Sequence, residues 1–249
     1  MRADSTRWAL GLLVIALAVP QARAAEPVTR ANEYRQIAPT VWVHTTYKDL
    51  GDGVPFPSNG LLVQVSDELL MVDTAWSDAQ TRKILEWAES TLGIPVTRAV
   101  VTHAHDDKMG GMEALDELEI ETFASSQTNR AAAKRGLTPA QHEIDLAPSL
   151  QLLEGVEAFY PGPGHTSDNI VVYVAQAKVL FAGCLVRPAE ATTLGNTADA
   201  DVDHWAEAVE QVAMRFPEAE VVVPSHGAWG DRSLLDHTID LAEQAASTE

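Results

Sequence analysis

The chain is organised around one stretch, Thr102-His103-Ala104-His105-Asp106-Asp107-Lys108. An apolar segment precedes it and Gly110-Gly111 follows it, so its polar residues lie in a predicted loop between a strand and a helix. Residues two apart on an extended chain share a face, so His103, His105 and Asp107 can converge. Imidazole and carboxylate groups are good zinc ligands. The loop predicts a zinc site, although two surface histidines would give the same short pattern.

Three other loops carry possible metal ligands at the ends of predicted strands. His165 follows a turn of alternating Pro and Gly, His226 follows an apolar segment, and Cys184 closes another. Alone, each histidine would be interpreted as a solvated loop residue and Cys184 as a small buried apolar residue. A nucleophilic Cys-His pair is a third interpretation, but it leaves the His-x-His-x-Asp loop without a role. Thiolate ligation of zinc by Cys184 is therefore preferred.

The apolar periodicity predicts one compact α/β domain over residues 25–249. Predicted strands cover residues 41–45, 60–65, 69–72, 99–101, 156–160, 170–174, 179–182 and 221–223. Predicted helices cover residues 78–91, 112–118, 127–135, 202–215 and 234–246. Strands in two blocks separated by helices fit a four-layer αβ/βα sandwich, although periodicity alone does not select it over another α/β architecture.

The first 24 residues have the features of a signal peptide. Arg2 and Arg7 precede an apolar run over residues 8–20, and Ala22-Arg23-Ala24 supplies small residues for cleavage. The run is shorter than the roughly 20 residues of a membrane-spanning helix, so cleavage is favoured over an uncleaved anchor. We therefore expect a periplasmic protein with no stable membrane anchor, and we expect it to be a monomer.

The net charge restricts the possible partners. It is −19 for the whole chain, and removal of the predicted signal peptide takes away three positive charges and one negative charge and leaves −21. Such a field repels nucleic acid and anionic membrane surfaces. An anionic substrate would need a local cation in the site.

A polar insertion at residues 47–58 predicts a β-hairpin flap. It contains two Gly, two Pro and two Asp between strand patterns, with Val54 and Phe56 at its tip. An exposed aromatic residue there would cover an apolar part of a substrate. A plain surface turn is the alternative.

Several stretches together resemble subclass B1 of the metallo-β-lactamases, and within it the New Delhi type. They are Ser58-Asn59-Gly60, Val72-Asp73-Thr74-Ala75-Trp76, THAHDDKMGGM at 102–112, FYPGPGHTSDNI at 159–170, Gly183-Cys184-Leu185, Gly195-Asn196 and Pro224-Ser225-His226. They run in order along nearly the whole mature chain. Thioesterases, lactonases and glyoxalase-like relatives usually have histidine where this chain has Lys108, and they lack the cysteine. Pro188 departs from the New Delhi pattern.

The resemblance implies the metallo-β-lactamase fold and two zinc ions. The first ion would be held by His103, His105 and His165, and the second by Asp107, Cys184 and His226. A hydroxide bridging the ions would attack the β-lactam carbonyl, with Asn196 polarising that carbonyl and Asp107 steering the hydroxide. Arg187 stands where many members carry a lysine that binds the substrate carboxylate, and Asp73 would orient metal ligands or simply form a turn.

Lys108 and Phe56 complete the predicted substrate-binding residues. Lys108 would contribute positive potential, although a solvated charge beside the loop is equally compatible with the sequence. The predicted function is zinc-dependent hydrolysis of penicillins, cephalosporins and carbapenems, with small-molecule β-lactams as the partners and antibiotic resistance as the consequence. The alternatives are hydrolysis of another ester, thioester or lactone, or a non-catalytic periplasmic zinc-binding protein.

Overall fold

The computed structural model describes residues 30–146 and 149–248, and the predicted signal peptide lies outside them. The strands are β1 (Glu33–Ala38), β2 (Val41–Asp49), β3 (Pro55–Val65), β4 (Glu68–Val72), β5 (Val96–Val100), β6 (Glu121–Ser125), β7 (His142–Ile144), β8 (Ser149–Leu153), β9 (Val156–Phe159), β10 (Val171–Val174), β11 (Val179–Gly183) and β12 (Val221–Pro224). The helices are α1 (Asp78–Trp87), α2 (Asp106–Met109), α3 (Met112–Glu117), α4 (Ser126–Arg135), α5 (Val202–Arg215) and α6 (Ser233–Ala246). A π-helical turn, Ala88–Leu92, extends α1, and a 3-10 turn occupies Ala175–Ala177.

The strands form two sheets. The first has the order β1-β2-β3-β4-β5-β6-β7, and the second has the order β12-β11-β10-β9-β8. Neighbours β4, β5, β6 and β7 run parallel, as do β11 and β12, while the other paired strands are antiparallel. Parallel neighbours end at the same edge of a sheet, so the loops after them lie side by side.

Three buried clusters define the layers. One lies between the sheets and includes Leu61, Val172 and Phe181. The second packs α1, α3 and α4 on the outer face of the first sheet, and the third packs α5 and α6, with Trp205 at its centre, on the second sheet. Helix, sheet, sheet and helix therefore follow one another, and the predicted four-layer αβ/βα sandwich is confirmed.

The predicted helices and strands are present, with differences at their ends, and the described residues form four additional strands and the additional short helix α2. The sequence pattern missed β1, β6, β7 and β8 because they are short or largely exposed and lack a clear apolar alternation. The hairpin flap is confirmed, since β2 pairs with β3 out to Asp49 and Pro55. Within the described ranges, no helix is long and apolar enough to cross a membrane.

Candidate metal centre

The segment that carries the predicted ligands His103, His105 and Asp107, called the metal loop below, begins after β5 and runs into α2. His105 has extended backbone (φ −121°, ψ 158°) and forms the N-cap of α2. Its carbonyl accepts hydrogen bonds from the N–H groups of Lys108 and Met109 at 3.0 and 2.9 Å. The expectation of a fully extended loop is wrong beyond His105, because Asp107 lies in the first helical turn. Gly111 follows α2 where a Cβ would collide with the Thr81 hydroxyl, so a larger residue does not fit there.

Three histidine rings converge above this loop. His103 Nε2 lies 3.1 Å from His105 Nδ1, which lies 3.2 Å from His165 Nε2. A tetrahedral zinc ion with Zn–N bonds of about 2.0–2.1 Å places neighbouring nitrogens about 3.3–3.4 Å apart. The three nitrogens therefore have the spacing of one face of a zinc site.

His165 is fixed by hydrogen bonds that tie its loop to the metal loop. Asn169 Oδ1 accepts from the Thr166 N–H at 3.0 Å, which closes the turn around His165. Asp168 Oδ2 accepts from the Ala104 N–H at 3.0 Å, and Ala104 lies between the two histidines of the His-x-His pair. The side chains of Asp168 and Asn169, bound to backbone N–H groups, thus help to fix the spacing of the three histidines.

A second cluster lies beside the histidines. Cys184 Sγ is 3.5 Å from His226 Nε2 and 3.9 Å from Asp107 Oδ2, and the histidine and the carboxylate are 3.6 Å apart. Parallel pairing of Gly183 with Pro224 brings the cysteine and the histidine together at the ends of β11 and β12. Zinc bonds of about 2.0–2.3 Å would give separations near 3.4–3.6 Å, so this set also fits a zinc ion.

The two clusters adjoin. Ligand atoms lie within 4.8 Å of one another in each of three groups: His103 with His105 and Asp107; Asp107 with Cys184 and His226; and His103 with His165 and Cys184. The structure therefore brings all six predicted metal ligands into one centre.

Burial keeps the histidines of the first cluster uncharged. It lowers the pKa of His165 to about 4 and also lowers the pKa values of His103 and His105, with like-charge repulsion among the rings adding to the shift for the last two. Neutral imidazole has a lone pair to offer a metal, whereas imidazolium has none. The three rings are consequently ready to bind a cation near neutral pH.

Lys108 lies beneath the second cluster and has no exposed side-chain surface. Its Nζ is 3.1 Å from Asp107 Oδ2 and 3.6 Å from Asp73 Oδ2, and it donates to Ser58 Oγ at 2.9 Å. The expectation that Lys108 contacts substrate, and the alternative that it is a solvated charge, are both wrong, because the ammonium is enclosed by protein. It pairs with the predicted ligand Asp107 through Oδ2, and so fixes the position of that carboxylate.

The charges of Lys108, Asp107 and Asp73 determine one another's protonation states. Burial alone would lower the pKa of Lys108, but the carboxylates of Asp107 and Asp73 raise it above its ordinary value. Burial alone would raise the pKa of Asp107, but Lys108 and the nearby histidines hold it well below its usual range. The predicted ligand Asp107 is therefore ionised.

Asp73 acts on the first cluster through one intermediate residue. Its two carboxylate oxygens accept from the N–H and the hydroxyl of Thr102 at 2.7 and 2.9 Å. The Thr102 hydroxyl oxygen lies 3.3 Å from His103 Nδ1 and can accept a hydrogen bond from the Nδ1–H group. This series of hydrogen bonds orients the His103 ring so that its Nε2 faces the predicted metal position.

Asp199 orients the second histidine of the cluster. Its Oδ2 lies 3.1 Å from His105 Nε2 and 2.7 Å from a guanidinium nitrogen of Arg135, at the end of α4. A ring nitrogen that donates to a carboxylate leaves the other nitrogen free for a metal. The loop after β11 is thus attached to the metal loop and to α4.

Arg187 and Asn196 lie on that same loop. Among the described residues, the Arg187 guanidinium has no hydrogen bond or ion pair, and its Nε is buried without a partner. It lies against Gly195, where a Cβ would be 3.0 Å from a guanidinium nitrogen. Asn196 is exposed, and its Oδ1 accepts from the Ala198 N–H at 3.1 Å. The structure therefore places an unpaired cation beside the segment that carries Asn196.

Comparison with known proteins agrees with this geometry. The family model described as the metallo-beta-lactamase superfamily matches residues 53–226. The chain belongs to the metallo-β-lactamase superfamily. A curated relative from Bacillus cereus, named metallo-beta-lactamase type 2, is 42% identical over 209 residues, which are 83% of this chain and 80% of the relative.

Solved structures extend the likeness to the whole fold. The metallo-β-lactamase FIM-1 from Pseudomonas aeruginosa, in its mono-zinc form, is 47% identical, with a TM-score of 0.86 over 88% of this chain and 98% of that one. A metallo-β-lactamase from Hirschia baltica is 42% identical, with a TM-score of 0.83 over 86% of this chain and 98% of that one. B1-type enzymes are among the structural neighbours, which agrees with the predicted subclass.

The flap of this metallo-β-lactamase reaches over the second cluster. Phe56, on β3, is 37% exposed, and its ring centroid is 4.7 Å from that of His226. Trp76, after β4, lies 6.3 Å from Phe56 and 6.5 Å from His226, again between ring centroids. The three rings form an aromatic wall beside the metal position.

Sequence reasoning missed four residues of the site. Ser58 and Asn59 stood in a matched stretch but received no role, although Ser58 Oγ donates to Asp107 Oδ2 at 3.1 Å and Asn59 Nδ2 donates to the carbonyls of Pro224 and Gly227. Trp76 and Asp199 were missed as well. Residue type and spacing give no signal for them, because their partners are distant in sequence.

Replacing Lys108 with methionine should destabilise the metal-free protein. The change leaves Asp107 and Asp73 buried without their counter-charge, which costs about 3–5 kcal/mol. Urea unfolding in excess chelator measures the free energy of unfolding. Lys48→Met is the matched control, because Lys48 pairs with Asp106 on the surface and should cost about 1 kcal/mol or less. Equal losses of unfolding free energy in the two variants would contradict the role of Lys108 as the buried counter-charge of Asp107 and Asp73.

Proposed function

We propose that this metallo-β-lactamase hydrolyses the amide bond of penicillins, cephalosporins and carbapenems with two zinc ions. The first would be held by His103, His105 and His165, and the second by Asp107, Cys184 and His226. The observation that carries the proposal is the pair of adjoining clusters, each with ligand spacings that suit zinc and one containing a thiol. Zinc itself follows from the family, and the count of two is our proposal.

The metal supplies chemistry that side chains lack at neutral pH. Bound zinc would supply a hydroxide nucleophile at neutral pH and positive charge to stabilise the negative charge that develops as the amide bond is cleaved. Asp107 would orient the attacking water. Its contacts with Ser58, Lys108, Cys184 and His226 all reach Oδ2. Oδ1 of Asp107 therefore stays available to accept a hydrogen bond from the water.

Asn196 would stabilise negative charge on the carbonyl oxygen. Its Oδ1 is already engaged by the Ala198 N–H, which turns the NH₂ group away from that turn. A donor aimed at an oxygen that gains charge in the transition state accelerates the reaction. Asp199, bound to His105, holds the loop in place.

Arg187 would bind the carboxylate that β-lactam antibiotics carry beside the ring. Burial lowers the pKa of the guanidinium from its ordinary value, yet arginine stays protonated in proteins. A cation without an internal partner is well suited to an external anion, and its planar group can bind a carboxylate through two hydrogen bonds. It supplies local positive charge in a chain of net charge −19.

The flap would cover the apolar substituents of the substrate. Leu50 and Val54 are 58% and 61% exposed near its tip, and Phe56 extends this apolar surface toward the metal centre. Exposed apolar residues grouped on one hairpin favour contact with a ligand. They suit the varied side chains of β-lactams because apolar contact needs no fixed polar partner.

We also propose export to the periplasm through cleavage of the predicted signal peptide. The support is the arginine-flanked apolar run of residues 8–20 and the small residues that follow it. A β-lactamase in that compartment would protect the cell from these antibiotics. The monomeric state stays a prediction.

Chelation tests the proposed reaction. Purified mature protein should bind two zinc ions and hydrolyse a chromogenic cephalosporin and a carbapenem. Excess chelator should abolish hydrolysis, and added zinc should restore it. Cys184→Ser should weaken binding of the second zinc more than the first, because oxygen is a poorer zinc ligand than thiolate. Chelator competition measures both affinities.

Three different results would contradict the proposed function or the proposed ligand sets. Zinc-loaded protein that leaves β-lactams intact but cleaves thioesters or lactones would be a different hydrolase, and protein that cleaves neither class would be a zinc-binding protein. Equal weakening of both zinc sites by Cys184→Ser would contradict the proposed ligand sets.

Arg187→Ala should raise the KM for carboxylate-bearing β-lactams by about tenfold or more, because charge-assisted hydrogen bonds contribute roughly 1.5–3 kcal/mol. Arg187→Lys should retain most of the affinity. A β-lactam whose carboxylate is esterified is the matched substrate control, and the change should barely affect it. The same loss with the ester would show that Arg187 acts on the loop and not on the carboxylate.

A further inference from the structure

The flap strand contacts the second metal cluster through three consecutive residues. The Phe56 ring lies against the His226 ring, with 4.7 Å between the centroids. The Pro57 carbonyl lies 2.7 Å from His226 Nδ1 and accepts a hydrogen bond from the Nδ1–H group, which leaves Nε2 for the metal. The Ser58 hydroxyl donates to Asp107 Oδ2 at 3.1 Å. Two of the three proposed ligands of the second zinc are therefore held by β3.

This segment of β3 is unusually stiff. Pro55 and Pro57 fix their own φ angles, and a residue that precedes proline is confined to extended backbone, which applies to Phe56. The segment also pairs with β2, Pro55 opposite Asp49 and Pro57 opposite Tyr47. Alternate residues of a strand share a face, so Phe56 and Ser58 both project to the metal side. A shift of the flap must therefore move these contacts together.

The other strand of the flap is attached to the metal loop as well. Lys48, near the end of β2, lies 3.5 Å from Asp106 Oδ2 and 5.3 Å from the centre of the Trp76 ring. Asp106 lies between the predicted ligands His105 and Asp107. Both strands of the hairpin thus contact the loops that carry the metal ligands.

We propose that Phe56 is a positioning residue for the zinc ligand His226, in addition to covering substrate, and that flap position and affinity for the second zinc are linked. The proposal rests on the two-zinc site proposed above. Linkage is reciprocal: a ligand that draws the flap onto the site strengthens binding of the second zinc, and the second zinc in turn restrains the flap.

Zinc binding without any β-lactam separates this role from substrate contact. Phe56→Ala should weaken the second zinc site about threefold to tenfold, the value of an aromatic contact, and leave the first unchanged. Phe56→Tyr keeps the ring and should restore the affinity. Val54→Ala is the matched control, because it removes apolar flap surface two residues away and should leave both zinc affinities unchanged. Chelator competition gives the two affinities.

Hydrogen exchange on the unaltered protein tests the reverse direction. The non-proline amides of residues 50–58 should exchange more slowly with two equivalents of zinc than with one. Second-zinc affinity within twofold of the parent in Phe56→Ala, or exchange of the flap that is the same at both loadings, would overturn the linkage. A parent protein that takes up a single zinc would instead overturn the two-zinc function, and that result is seen before any variant is made.

Discussion

The buried ammonium of Lys108 is the interaction on which the metal centre depends. A carboxylate enclosed by protein costs several kcal/mol unless it is paired, and Asp107 and Asp73 are both enclosed at this point. Lys108 supplies the counter-charge at 3.1 and 3.6 Å and also donates to Ser58. Asp107 can therefore be ionised before a metal arrives. Asp73 is held beside Thr102, from which the hydrogen bonds continue to His103.

The two sheets contribute different parts of this centre. The loop after β5 supplies His103, His105 and Asp107, whereas the loops of the second sheet supply His165, Cys184 and His226. Asn59 joins the halves, because its N–H donates to the Ser225 carbonyl at 2.7 Å and its side chain donates to the carbonyls on either side of His226. The sandwich thus brings ligands from distant parts of the chain to one edge.

Much of the fold and all six predicted metal ligands follow from local sequence patterns. Helix α5 matches its predicted bounds because its apolar periodicity is strong, and the ligands stand at strand ends where polar residues interrupt apolar runs. The position of Lys108 could not be predicted, because a lysine beside aspartates in a polar loop is usually solvated, whereas here both Lys108 and Asp107 are buried. Asp199 could not be recognised either: only the folded chain brings it to His105, 94 residues away.

An anomalous-scattering map at the zinc edge would show whether the two clusters each hold a zinc ion. We expect two peaks in a crystal of the zinc-loaded protein. One should lie about 2.0–2.1 Å from nitrogens of His103, His105 and His165, and the other about 2.3 Å from Cys184 Sγ, with Asp107 and His226 completing its ligands. A single peak held by His103, His165 and Cys184, a group that also lies within reach of one ion, would contradict this expectation.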